Sequence, residues 1–169
     1  MELNIRELCP QDAPILEAAF ADMGWNKPAE QYLRYCDEQL RGDRNAFVAI
    51  LDGEITGYTT VLWSSKYSPF REANIPEIQD LNVLVKFRNR GIASSLLDKS
   101  EQTIQQRSSV SGIGVGLHPG YNAAQRLYVK RGYVPDGRGV TYEQHSVKEG
   151  QSVIFDDELV LWLTKKLIP

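Results

Sequence analysis

The chain has 169 residues and a formal net charge of −3, with 42% hydrophobic and 24% charged residues. This length suits one compact domain with a sizeable core, and the composition is ordinary for a soluble globular protein. The slight acidic excess gives no general attraction to nucleic acid or to an anionic membrane, because such binding needs clustered Lys and Arg. We therefore expect neither kind of partner.

The cysteines and the first residues favour a cytoplasmic location. Cys9 and Cys36 show no CxxC spacing, which favours reduced thiols, with a disulfide as the less favoured alternative. The opening segment MELNIRELCPQDAP carries charges and lacks the apolar core of a signal peptide. No apolar run approaches the roughly 20 residues of a membrane-spanning helix.

The first half of the chain predicts a strand at residues 3–7, helices at about 12–23 and about 28–40, a hairpin at 46–63 and a loop at 64–76. Pro28 suits the first turn of the second helix, and Gly42 is a stop signal after it. Asp52 and Gly53 tolerate the positive φ of a two-residue turn, so they are placed at the tip of the hairpin.

The second half predicts a strand at residues 77–85, a helix at 90–107, a strand at 110–117 and a short helix at 122–130. A long loop or irregular hairpin at 135–156 and a last strand at 158–164 follow. In VSGIGVGL, residues 110–117, glycine alternates with apolar residues. Such a strand lets another group approach its backbone closely. No repeat or linker interrupts the pattern, so we expect one mixed α/β domain over 1–169.

The stretch LNVLVKFRNRGIASSLL, residues 81–97, places two arginines and a glycine where a strand becomes a helix. A helix N-terminus leaves backbone amides unpaired and carries partial positive charge. Gly91 lets a phosphate lie against the backbone, and Arg88 and Arg90 add charge, so a diphosphate is the expected ligand. The alternative is that the glycine only makes the turn and the arginines are solvated. The pattern is neither a Walker loop nor GxGxxG.

This stretch resembles the acetyl-CoA-binding motif of the GNAT superfamily of N-acetyltransferases, an apolar strand followed by Q/R-x-x-G-x-G/A at the start of a helix. Arg88, Gly91 and Ala93 match its fixed positions. The segment AAQRLYVKRGYVP resembles the second signature of the family, A-x-x-L-Y-x-K-x-G-F/Y, at Ala124, Leu127, Tyr128, Lys130, Gly132 and Tyr133. Together the signatures cover roughly 77–134. Tyr121 is a departure, because the family usually has Asn there, and Asn122 comes one residue late.

The resemblance implies a GNAT-like fold, with a mixed, mostly antiparallel central sheet flanked by helices, and acetyl-CoA as co-substrate. It implies that the backbone of Leu81, Asn82 and Val83 pairs with the pantetheine arm. The diphosphate would then be cradled by amides of the following residues: Arg88, Asn89, Arg90, Gly91, Ile92, Ala93 and Ser94.

The resemblance also implies catalytic roles. Tyr128 matches the usual acid, the alternative being a core aromatic with a satisfied hydroxyl. A gapless comparison with the histone-acetylating branch puts the base at Glu77, with Asp80 as second candidate and a water chain as a further option. An acidic residue at a strand start is also often plain solvated surface. Trp25 follows the first helix, where the family shapes its substrate pocket.

The function expected from the resemblance is N-acetylation of a small-molecule or peptide amine. Direct transfer in a ternary complex is favoured, because neither cysteine occupies a matching catalytic position. The alternatives are a non-catalytic CoA-binding sensor or interaction module, and an enzyme that uses another acyl donor. Homodimers are common in the family. We expect no metal, since no Cys, His or carboxylate cluster has ligand spacing.

Overall fold

The computed structural model describes residues 2–169. In chain order, its strands and helices are β1 (Leu3–Glu7), α1 (Ala13–Ala21), α2 (Ala29–Arg41), β2 (Arg44–Leu51), β3 (Glu54–Leu62), α3 (Ser68–Glu72), β4 (Glu77–Val83), α4 (Ile92–Gln105), β5 (Val110–Gly116), α5 (Asn122–Lys130), β6 (Val134–Tyr142), β7 (His145–Ser146) and β8 (Leu159–Lys166). The predicted fold class is confirmed, since the elements are of mixed type, the strands are mostly antiparallel and helices flank them.

The chain divides into two compact units. The first comprises residues 2–63 and 78–103, and its strands follow the order β1-β2-β3-β4. The β2–β3 hairpin turns at Asp52 and Gly53, with φ of 50° and 86°, as the sequence predicts. The core of this unit is aromatic: the Tyr58 ring meets Phe20 of α1 and Tyr32 of α2 edge to face, with centroids 5.6 and 5.1 Å away.

The second unit comprises residues 64–77 and 104–169, and its strands follow the order β5-β8-β6-β7. Its core contains Tyr67 and Trp162, stacked with centroids 4.3 Å apart, and Phe70 packed edge-on against the indole. The glycines of β5 make room for this unit's own side chains. A Cβ at Gly112 would lie 2.3 Å from the Phe70 ring, and one at Gly114 would lie 2.9 Å from Trp162.

Of two sequence predictions for this second unit, the first needs correction and the second is narrowed to one of its alternatives. The predicted loop 64–76 contains the short helix α3, in which Phe70 is buried. For residues 135–156, the structure has the irregular hairpin of the two alternatives: β6 pairs with the short strand β7, and β6 contains a register shift against β8. Glycines with positive φ at 137 and 139 lie within a register shift against β8, and such a bulge hides the two-residue periodicity of a strand.

Two further expectations concern the chain as a whole. The expectation of a single domain over 1–169 stays a prediction. No helix within residues 2–169 is long and apolar enough to cross a membrane.

Candidate active site

The connection from β4 to α4 is an exposed turn anchored at both ends. Phe87 before it and Ile92 after it are buried, whereas residues 88–91 are exposed. Asn89 and Gly91 both adopt positive φ, 61° and 77°. The turn therefore presents its backbone to solvent from two fixed points.

The backbone at the start of α4 suits an anion. The Ser95 amide donates to the Gly91 carbonyl at 3.0 Å, so the earlier amides of the first turn have no acceptor within the helix. These amides carry the positive end of the helix dipole. A Cβ at Gly91 would meet no heavy atom within 4 Å, so a phosphate has room against the glycine.

The two arginines of the turn are held close to their own segment. The Arg88 Nε donates to the Val83 carbonyl at 3.3 Å, and the Arg90 guanidinium lies 5.6 Å from the centre of the Phe87 ring. Both arginines are exposed. We infer that they add positive charge around the turn, while the backbone amides offer the fixed hydrogen-bond donors.

The last residues of β4, predicted to pair with pantetheine, are half-buried. The Asn82 side chain donates to the Asp80 carboxylate at 2.7 Å and to the Tyr58 hydroxyl at 3.2 Å, so it is committed to its own unit. Strand β3 approaches this backbone closely, since a Cβ at Gly57 would lie 2.5 Å from the Asn82 carbonyl oxygen. The predicted pairing with pantetheine would therefore have to use backbone atoms of this strand.

Asp80, the second candidate for the general base, is held as a fixed anion. Its carboxylate accepts hydrogen bonds from five side chains, at 2.7–3.0 Å: Lys27, Gln31, Tyr35, Tyr58 and Asn82. Burial works to raise the pKa of Asp80, but the charge of Lys27 and these hydrogen bonds outweigh it and lower the pKa. A carboxylate with a lowered pKa is a weaker base, so this residue does not suit proton abstraction.

Glu77, the first candidate for the base, is buried at the start of β4, with 5% of its surface exposed. The reading of this residue as solvated surface is therefore wrong. The Ser65 hydroxyl donates to the Glu77 carboxylate at 2.6 Å, and the Tyr67 amide donates to the Ser65 hydroxyl at 3.0 Å. This chain of hydrogen bonds orients the carboxylate.

Tyr128 is buried on α5, with 6% of its surface exposed. Its ring lies 6.1 Å from the ring of Tyr133, whose hydroxyl pairs with the Ser111 hydroxyl at 2.9 Å. Burial, with a smaller contribution from Tyr121, raises the pKa of Tyr128. The phenol is therefore protonated at neutral pH, as a proton donor must be.

Trp25 lies in the loop between α1 and α2, with 39% of its surface exposed. Its indole stacks on Phe20, with centroids 5.8 Å apart and an angle of 21° between the planes. One face of the indole is thereby packed, and the exposed part is available to a ligand.

The structure explains the departure at Tyr121. A Cβ at Gly116 would lie 2.2 Å from the Tyr121 ring, so the glycine of β5 makes room for this tyrosine. His118 packs edge-on against the same ring at 4.9 Å and pairs with Asp157 at 2.6 Å. Asn122 begins α5 and is exposed, so it does not take the place of the usual Asn.

Sequence reasoning missed two polar residues. Ser65, which orients Glu77, lies 12 residues away in a segment without a motif. Lys27, which pairs with Asp80 at 3.0 Å, is 53 residues from it, and a lone loop lysine gives no signal. Within residues 2–169, no group of three or more His, Cys, Asp or Glu side chains is placed to hold a metal ion.

Comparison with known proteins decides the family. The model of the acetyltransferase (GNAT) family matches residues 13–133. The chain belongs to this family. A GNAT protein is an acetyltransferase that uses acetyl-CoA, so this chain is an acyltransferase with acetyl-CoA as co-substrate. Curated protein sequences give no significant match.

Solved structures show the same fold over the whole chain. A ribosomal-protein-alanine N-acetyltransferase from Brucella melitensis is 22% identical, with a TM-score of 0.69 and coverage of 97% of this chain and 99% of that one. An N-acetyltransferase from Staphylococcus aureus Mu50 is 17% identical, with a TM-score of 0.73 and coverage of 99% and 100%. The yncA protein from Salmonella typhimurium, solved with its cofactor acetyl-CoA, is 18% identical, with a TM-score of 0.71 and coverage of 99% and 95%.

The residues present fit the diphosphate of acetyl-CoA. The turn at 88–91 is exposed and cationic, the amides at the start of α4 lack helical acceptors, and the space at Gly91 is open. These are the properties that a diphosphate requires. We infer that this GNAT protein binds the diphosphate here.

Changing Gly91 to Glu should reduce acetyl-CoA affinity by about 100-fold or more, because the new carboxylate enters the phosphate site with like charge. Gly150→Glu is the matched control, since Gly150 also has positive φ, 79°, and open space around its Cβ. Both variants carry the same backbone strain, so thermal unfolding should show similar losses of stability. Titration calorimetry with acetyl-CoA separates them, and equal affinities would contradict the diphosphate site.

Proposed function

We propose that this acetyltransferase transfers the acetyl group of acetyl-CoA to a primary amine of a small molecule or peptide, directly, in a ternary complex. The observation that carries the proposal is the exposed turn with positive φ before α4, next to the first-turn amides of α4, which have no acceptor within the helix. The ribosomal-protein-alanine N-acetyltransferase among the structural relatives acts on a protein amine by its name. That relative is compatible with an amine acceptor here.

The cysteines favour direct transfer over an acetyl-enzyme. Burial raises the pKa of Cys36, which lowers the fraction of nucleophilic thiolate. The Cys9 thiol donates a hydrogen bond to the Asp12 carboxylate at 3.2 Å. Both are free thiols, and we place this single acetyltransferase domain in the cytoplasm on that basis.

We assign the proton transfers to Tyr128 and Glu77. Acetyl-CoA supplies an activated thioester carbonyl. Glu77, oriented by Ser65, accepts a proton from the acceptor ammonium or from a water bound to it, because only the neutral amine is a nucleophile. Tyr128 keeps its proton because burial raises its pKa, and it donates this proton to the departing sulfur. Trp25 forms part of the acceptor pocket.

The proposed function is tested by titrating the protein with acetyl-CoA, CoA and ATP in parallel and then measuring thiol release with a panel of amines. We expect acetyl-CoA and CoA to bind and ATP to give no detectable binding. ATP has no pantetheine arm, so it lacks the contacts that the β4 backbone adds to those of the diphosphate. We expect thiol release to rise with at least one primary amine. Tight CoA binding without release for any amine would favour the sensor instead, and no binding would refute the proposal.

Tyr128→Phe should lower kcat by about 100-fold, the usual range for loss of a general acid, with acetyl-CoA affinity unchanged. In the wild type, the raised pKa predicts no loss of activity from Tyr128 ionisation up to about pH 10. Tyr133→Phe is the control: it removes a hydroxyl bonded to Ser111, at a cost of about 1 kcal/mol in stability, and should keep kcat. Equal kcat for Tyr128→Phe and wild type would argue against the acid.

Glu77→Gln should lower kcat by about 100-fold, because the amide keeps the shape and an acceptor for Ser65 but cannot take a proton. Activity of the variant should rise with pH, as the acceptor amine loses its proton without help. Steady-state rates between pH 6 and 10 measure both effects. Rates like those of the wild type across this range would assign the proton transfer to water.

A further inference from the structure

The Asp80 carboxylate is surrounded by donors of two kinds. Four are neutral and lie on regular elements: Gln31 and Tyr35 on α2, Tyr58 on β3 and Asn82 on β4. The fifth is the ammonium of Lys27, 3.0 Å from Oδ1. It is the single charged donor of the five, and it comes from the loop between α1 and α2.

The Lys27 ammonium occupies a site with the chemistry of an ammonium receptor. Besides the Asp80 carboxylate, it faces the rings of Tyr58 and Phe20, at 5.7 and 6.0 Å from their centres. Aromatic faces and a carboxylate are the groups that bind alkylammonium ions. Trp25 stacks on the outer side of Phe20 and completes this wall.

The site is preorganised without Lys27. The four neutral donors hold the carboxylate in place from α2, β3 and β4, while Lys27 reaches it from a loop that includes Gly24, with φ of 76° and open space. The side chains of Lys27 and Asp80 are 18% and 20% exposed, so solvent reaches the pair. An ammonium from solution therefore meets a formed site when the lysine leaves.

We propose that Asp80, Tyr58 and Phe20 form an alkylammonium site, which Lys27 fills in the free protein and which one ammonium of an aliphatic diamine acceptor takes over. The role as part of the acceptor site rests on the proposed function. The binding of an alkylammonium ion does not.

The electrostatics of the site require two amines in the acceptor. A carboxylate beside an amine favours the charged form of that amine, and a protonated amine is no nucleophile. The amine held by Asp80 therefore anchors the acceptor and stays protonated. A second amine on the same aliphatic chain is the one that receives the acetyl group.

The direct test is a titration of the protein with n-butylammonium chloride, followed by the NMR signal of the Trp25 indole N–H, with sodium chloride as the ionic-strength control. Lys27→Met should bind this probe about tenfold tighter than wild type or more. If the Lys27 ammonium occupies the site in about nine of ten molecules, only about one tenth of the sites is open, and the apparent affinity of wild type is about tenfold weaker. Lys27→Met with Asp80→Asn should bind only weakly. Lys148→Met, the change of an exposed lysine, should match wild type.

If Lys27 is only a structural latch, Lys27→Met binds n-butylammonium no better than wild type, and the proposal is overturned. Wild-type protein gives an independent answer if that variant is poorly folded. Its Lys27 ε-methylene signal should move toward that of an exposed lysine as n-butylammonium is added, and a signal that stays fixed up to saturating probe would refute displacement.

Acceptor kinetics separate this inference from the proposed function. Wild type should use 1,4-diaminobutane with a KM about tenfold or more below that of n-butylamine. Only the diamine can bind Asp80 through one charged amine and present a second amine as the nucleophile. Equal KM values with normal acetyl-CoA turnover would overturn the diamine acceptor alone. Failure of both amines together with failure to bind acetyl-CoA would refute the proposed function, while the n-butylammonium titration would still decide the site.

Discussion

The half-buried charge of Asp80 is the constraint on which the first unit depends. The residue has positive φ, 58°, which costs energy for a side chain other than glycine, and its carboxylate leaves bulk water. The loss of hydration is offset when the carboxylate is hydrogen-bonded. Donors from α2, β3, β4 and the α1–α2 loop converge on it, so this one anion fixes the relative positions of four segments.

A second constraint is the space that aromatic rings need against β5, which glycines in this strand provide. Gly112 and Gly116 lie where the rings of Phe70 and Tyr121 leave no room for a Cβ. Tyr121 stands where the family usually has Asn, so the ring and the glycine form a matched pair. The segment before α5 is further fixed by His118, which is hydrogen-bonded to the Asp157 carboxylate and accepts a hydrogen bond from the Gly120 amide.

Local signals in the sequence predicted much of the fold. The turn at Asp52 and Gly53, the stop at Gly42 and the turn before α4 depend on neighbouring residues only, and the structure has them. For β6, the sequence left a loop and an irregular hairpin open, because its glycines and bulge interrupt the alternation of side chains.

For the site, the motifs indicated Gly91 and Tyr128 as candidate residues. The hydrogen-bond partners of the two carboxylates could not be predicted from the sequence. Lys27 and Ser65 meet Asp80 and Glu77 across 53 and 12 residues, and no local pattern encodes such contacts. The sequence could name the candidate bases, but only the folded surroundings of each carboxylate distinguish between them.

The two acidic residues of β4 show how environment divides roles between similar groups. An ionised carboxylate has about four lone-pair positions, and the five donors around Asp80 leave it no capacity to take a proton. The Asp80 carboxylate can still act through its negative charge, and a fixed negative charge beside aromatic rings binds cations. Glu77 is buried, and its carboxylate is oriented by the Ser65 hydroxyl. The proposal therefore assigns anchoring of the acceptor to Asp80 and its deprotonation to Glu77, because the hydrogen-bond partners of the two carboxylates differ.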